Sequence, residues 1–120
     1  MGSERFERLV APRLWRWPPD GSLPSDLPLR GLPAGAADAL ARSSALVAGG
    51  GAVGGPLATD LARLGLKRVV LADPDCYGDD SWATQPMGRR RHVGAAKAFV
   101  QGAAAHEANP AVEVVACRGF

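Results

Sequence analysis

The feature that most constrains this chain is the run Gly49-Gly50-Gly51-Ala52-Val53-Gly54, which opens directly out of the apolar stretch Ala45 to Ala48. The glycines at its first, third and sixth places have separate uses. Gly49 permits a tight turn, Gly51 lets an anion approach the backbone, and Gly54 lets a following helix pack close against the strand. The free N–H groups at the start of that helix then face the anion. A helix is expected over Gly55 to Leu64, since Pro56 falls in a first turn where its missing N–H costs nothing and Gly65 supplies a stop. No Gly-Lys-Ser/Thr follows the glycines, so the loop is not of the Walker type.

Two further apolar runs, Arg68 to Ala72 and Val112 to Ala116, continue the pattern. Between them a second helix is expected over Val93 to Ala108, with Val93, Ala96, Val100, Ala103 and Ala104 as its apolar stripe and Asn109-Pro110 at its end. Strand, helix, strand, helix, strand is the order of an α/β fold. It gives the first half of a Rossmann-like doubly wound parallel sheet, with three strands and two crossover helices. In that arrangement the strands lie third, second, first in space, which leaves Ala45 to Ala48 as an unpaired edge open to a second copy or another polypeptide. Six of the ten prolines fall within residues 1–33, which therefore read as an N-terminal arm and Pro-rich linker. A short helix is expected there from Ser3 to Leu14. The domain proper is expected over 34–120, beginning with an Ala-rich helix at Pro33 to Arg42.

Composition narrows the function classes. Lys+Arg 14 against Asp+Glu 12 gives a formal net charge of +2 spread along the chain, which is no strongly basic nucleic-acid surface. The apolar stretches are broken by Gly, Arg or Asp well short of the ~20 residues of a membrane span. Glu4, Arg5, Glu7 and Arg8 leave no room for a signal-peptide core. Cys76 and Cys117 stand apart from any CxxC or paired His, against a disulfide scaffold or a structural zinc site. The expected compartment is the cytosol.

An acid stands where such a fold would use one. Asp73 ends the second apolar run, nineteen residues after Gly54, and a carboxylate there can accept hydrogen bonds from a ribose diol. Loop and acid together fit NAD, and hence an oxidoreductase, as well as ATP.

The segments that follow favour ATP. Asp73-Pro74-Asp75-Cys76-Tyr77, then Ser81-Trp82-Ala83-Thr84-Gln85, Val93-Gly94-Ala95-Ala96-Lys97 and Asn109-Pro110 resemble the ThiF/MoeB/ubiquitin-activating family of adenylating enzymes, over Ser44 to Val115 without a gap. The resemblance implies an enzyme that uses ATP and Mg2+ to adenylate a carboxylate, typically the C-terminus of a ubiquitin-like or sulfur-carrier protein. It also implies roles for individual residues. Lys97 matches the family's phosphate-contacting lysine, Gln85 the glutamine of its Arg-Gln pair, Asp73 its ribose ligand and Asp75 the second acid of the loop. Arg5-Phe6-Glu7-Arg8 looks like an N-terminal segment whose second arginine reaches the ATP of a partner subunit, which would make Arg8 an arginine finger and the assembly a homodimer.

Two positions depart from the family pattern. Ser81 stands in place of Asn and Thr84 in place of the active-site Arg, which leaves Lys97, Arg8 or the run Arg89-Arg90-Arg91-His92 to supply positive charge, or leaves a nucleotide-binding pseudoenzyme. No metal ligands are assigned within the chain. The family's metal-binding Asp is expected beyond it, so residues 1–120 alone are expected to be inactive.

Overall fold

The computed structural model describes residues 13–22, 29–51, 53–78 and 88–119. Three parallel strands form its centre. They are β2 (Ser44–Ala48), β3 (Arg68–Ala72) and β4 (Glu113–Cys117). The pairing runs Ser44 to Arg68 and Ala48 to Ala72 between β2 and β3, and Arg68 to Glu113 and Ala72 to Cys117 between β3 and β4. The third, second, first order and the free β2 edge stand as expected. Val69-Val70 and Val114-Val115 are the β-branched pairs that suit a pleated surface.

Both crossover helices lie on one face of this sheet. They are α2 (Gly54–Arg63) and α3 (Lys97–Ala108), which pack against each other. A short α1 (Ala36–Ala41) precedes β2. Side chains alternate across a strand, so Val47, Val69, Leu71, Val114 and Ala116 all point to the helix side, where each is buried. Val47, Ala58, Leu66, Val69, Leu71 and Val112 make one core cluster with Leu40, Leu61 and Leu64 at its margin. On the other face Leu46 is 67% exposed, and Val70 and Val115, in register with it, are only half-buried. Among the described residues no helix is long and apolar enough to cross a membrane.

The proline-rich region departs from expectation. Residues Leu14–Trp17 form a strand, β1, paired antiparallel with β4, so the sheet is mixed and four-stranded in the order β1-β4-β3-β2. The helix expected from Ser3 to Leu14 ends in a residue that is extended, and its other residues up to 12 lie outside the described ones. Trp15 and Trp17 share one face of β1 and meet Phe99 of α3 at ring-centroid distances of 5.3 and 5.7 Å. Gly102 makes room for this contact, because a Cβ there would come within 2.7 Å of the Trp17 ring. On the opposite face Arg16 and Arg68 both donate to Glu113, at 2.6 and 2.9 Å. The hydrogen bond from Arg16 first, and that from Arg68 after it, hold the Glu113 carboxyl below its ordinary range. The Asp20 N–H then bonds the Pro110 carbonyl, so this stretch is part of the sheet and not only a linker.

The second crossover helix also starts later than its apolar stripe suggests. Gly94 takes a φ of 87°, and Ala96 is extended and bridges Cys76. Residues 93–96 therefore pair with the segment after β3, and α3 begins only at Lys97.

Candidate functional site

Parallel strands bring their carboxyl ends to one rim of the sheet, and the loops that leave there are set side by side. The β2–β3 ladder runs one step further, with the Gly49 N–H bonding the Ala72 carbonyl at 2.7 Å. Gly49 then turns with a φ of 97°, a left-handed conformation that a Cβ would strain. Gly54 is the point of closest approach between helix and loop, since a Cβ there would overlap the Gly49 carbonyl. A Cβ on Gly51, by contrast, would meet nothing within 4 Å. Helix α2 starts behind it with no side chain capping its first turn; the Gly55 N–H turns back to the Gly51 carbonyl and Pro56 has none, so what the helix start offers an anion is chiefly the positive end of its dipole.

Asp73 holds this loop in place. One carboxylate oxygen accepts the Gly50 N–H at 2.6 Å and the other accepts the Asp75 N–H at 2.8 Å. The residue is 5% exposed. The carboxylate expected to meet a ribose is thus turned inward onto two backbone N–H groups, and Asp75 is the exposed acid of the pair.

A short two-stranded brace connects this acidic segment to α3. The Tyr77 N–H bonds the Ala95 carbonyl, the Gly94 N–H bonds the Tyr77 carbonyl, and the Lys97 N–H bonds the Asp75 carbonyl at 3.0 Å. Lys97 is thereby fixed as the first residue of α3, with its ammonium 5.8 Å from the centre of the Tyr77 ring. Beneath it Gln101, fully buried, donates to the Gly50 carbonyl and, at 3.0 Å, to the Tyr77 hydroxyl. Burial pushes the Tyr77 phenol up from its ordinary value, so it stays a neutral hydrogen-bonding group.

Of the residues singled out from sequence, the structure gathers Gly49, Gly51, Gly54, Asp73, Asp75 and Lys97 along this rim. Arg8 and Gln85 lie outside the described residues, as do Ser81 and Thr84. Arg89, Arg90 and Arg91 are exposed. Arg89 and Arg91 line a hollow with His92, Phe99, Val100 and Glu107 that includes no residue of the glycine loop. Cys76 and Cys117 are free thiols. Among the described residues no group of three or more His, Cys, Asp or Glu could hold a metal ion. Sequence reasoning missed Gly50, Tyr77 and Gln101. The available signal was Gln101, the one polar side chain among the buried α3 residues Ala98, Gly102 and Ala105.

Known proteins resemble this chain in sequence and fold. The sequence profile of the ThiF family matches residues 25–120. The adenylyltransferase and sulfurtransferase MOCS3-1 of Zea mays is 34% identical over 105 residues, covering 81% of this chain and 22% of its own length. The tRNA N6-threonylcarbamoyladenosine dehydratase TcdA of E. coli, solved in complex with ATP, superposes with a TM-score of 0.68 at 31% identity, over 78% of this chain and 37% of that one. E. coli MccB, solved with ATP, shares the fold with a TM-score of 0.62 at 23% identity, over 66% of this chain and 23% of its own. The chain therefore spans well under half the length of each of these proteins. With its profile match over most of the sequence and its glycine loop, acids and lysine on a single sheet rim, the chain belongs to the ThiF family.

Proposed function

We propose that this chain forms the nucleotide-binding part of an enzyme that activates a carboxylate by adenylation, with ATP as the nucleotide. The observation that carries the reading is that the glycine loop and Lys97 are tied to one rim by the two acids. Asp73 grips the loop through Gly50, and the Asp75 carbonyl grips Lys97. An anion seated over Gly51 would face the open start of α2, and Lys97 would add charge-assisted hydrogen bonds to the phosphates. Asp73, each of whose carboxylate oxygens keeps a further lone pair beside the backbone N–H it accepts, and the exposed Asp75 take the ribose diol. ATP bound there supplies an electrophilic α-phosphorus and a pyrophosphate leaving group to the attacking carboxylate. Positive charge from Lys97 and Arg8, and hydrogen bonds from the neutral Gln85 amide, in the roles the family gives them, would stabilise the charge that develops. Mg2+, bound with the nucleotide, would neutralise part of the charge on the triphosphate.

The carboxylate is the C-terminus of a ubiquitin-like or sulfur-carrier protein, and the compartment is the cytosol. The pairing of adenylyltransferase with sulfurtransferase in the name of the maize relative supports a carrier of that kind. The free β2 edge is where a second copy or further polypeptide completes the crevice.

Calorimetric titration tests the nucleotide. Binding of ATP with Mg2+ is expected, and tight NAD binding without ATP binding would overturn the reading. In the intact protein, Lys97→Ala is expected to lower carrier-dependent pyrophosphate exchange by roughly two orders of magnitude, about 3 kcal/mol of transition-state stabilisation. Thr84→Arg should leave exchange unchanged or raise it.

A further inference from the structure

Three groups meet under the rim without any part in the roles just assigned: the Tyr77 ring, the Tyr77 hydroxyl and the Gln101 amide. We infer that Tyr77 and Gln101 are positioning residues, Gln101 setting the height of the glycine loop and Tyr77 carrying the Lys97 ammonium until a triphosphate takes it. The inference rests on the nucleotide reading above.

The loop half follows from hydrogen bonding. Gly50 is held at both ends of its peptide groups, its N–H by Asp73 and its carbonyl by Gln101. A side chain at Gly50 would overlap the Gln101 amide, so the contact leaves no slack. Gln101 sits on α3 four residues after Lys97, on the next turn of the helix and the same face. The loop and the lysine are therefore set by one rigid element.

The lysine half follows from the ring. An ammonium 5.8 Å from the centroid is near the outer limit of a cation–π contact. That is close enough to bias a flexible four-carbon side chain and loose enough to release it to a phosphate, a far stronger partner. Among the described residues the Arg89 charge also acts on Tyr77. His92, whose ring lies 5.8 Å from Tyr77, is held below its ordinary value by burial and by Arg91 and Arg89. Tyr77 itself cannot drift, because its backbone pairs with Ala95 and Gly94 and its hydroxyl with Gln101.

The chain has a single tyrosine, so tyrosine labelled with 13C at Cζ gives one NMR signal. Titration of the protein with ATP and Mg2+ should move that signal, and in Lys97→Met, titrated to saturation, the movement should be largely lost. Gln101→Ala and Tyr77→Phe should each raise the Kd for ATP by about five-fold. Gln101→Ala should also speed amide exchange of Gly50 and Gly51 without nucleotide, whereas Gln101→Glu, which loses the amide donor at similar volume, should match Gln101→Ala and not the parent. Tyr77→Phe keeps the ring and removes only the hydroxyl, and circular dichroism of it and of the Gln101 variants checks that each is folded. If the parent protein binds ATP but its tyrosine signal stays still and Gln101→Ala, Gln101→Glu and Tyr77→Phe all bind as it does, the positioning role is overturned and the nucleotide reading survives. If the parent protein binds no ATP, both fall together.

Discussion

The two faces of the sheet are built from the same strands and end differently. On the helix side Val69, Leu71, Val114 and Ala116 are each 0% exposed. On the other side Leu46, Val70 and Val115 line up across β2, β3 and β4 with no helix over them, and Leu14 of β1 is 61% exposed. Parallel sheets are normally covered on both faces. The contrast teaches that only one layer of this architecture is completed within the described residues, and that the candidate site stands at the boundary of the completed layer. The edges repeat the contrast. β1 seals the β4 side with two tryptophans and an ion-paired glutamate, whereas β2 ends the sheet with Leu46, Val53 and Leu57 in the open.

If that contrast is real, truncation on the helix side should cost most. Leu71→Ala removes a fully buried side chain and should destabilise by about 3 kcal/mol in urea unfolding. Next comes overpacking at the sealed edge. Gly102→Ala would press a methyl against the Trp17 ring and the Ala116 Cβ, costing about 2 kcal/mol, and the cost should fall in a Trp17→Ala background, where only the Ala116 contact remains. Smaller again is the ion pair. Glu113→Gln should cost about 1 kcal/mol, because both arginines remain half-solvated. Its pH signature is specific. The carboxyl is held below its ordinary 4.5, so the stabilisation is complete above that value and drains away as pH falls through the lowered one. A stability profile with the same acid slope in Glu113→Gln would break the assignment. Smallest is Leu46→Lys on the bare face, expected to change unfolding free energy by less than about 0.5 kcal/mol while lowering self-association in sedimentation. A large loss of stability there would mean that the bare face is already covered.

The same division explains what could be read from the sequence. The cores of β2, β3 and β4 were legible to within a residue, because each is a short apolar run, Val-rich in β3 and β4, ended by Gly, Asp or Pro nearby. β1 was not, since Leu14-Trp15-Arg16-Trp17 sits among prolines and its pairing partner is about a hundred residues away. The beginning of α3 was misplaced for a similar reason. Val93 and Ala96 fit a helical stripe, but Gly94 and the bridge to Cys76 decide their conformation. In the site, Gly49 and Gly54 were legible because their demands are local and steric. Which way Asp73 would turn was not, because it depends on the loop presenting the Gly50 N–H to it. Gln101 lies fifty-one residues from the carbonyl it holds, a distance no motif spans.

The antiparallel strand also sets an order of events during synthesis. β1 leaves the ribosome before the other described strands, yet among them its neighbour in the sheet is β4, and Arg16 waits 97 residues for Glu113. At roughly 5–20 residues per second that interval lasts on the order of 5–20 s. During it Trp15 and Trp17 have neither Phe99 nor β4 to shelter them. A newly made chain therefore carries two exposed indoles until almost the whole described sequence has emerged. Slow translation or a missing β4 would leave them available to chaperones, and to one another.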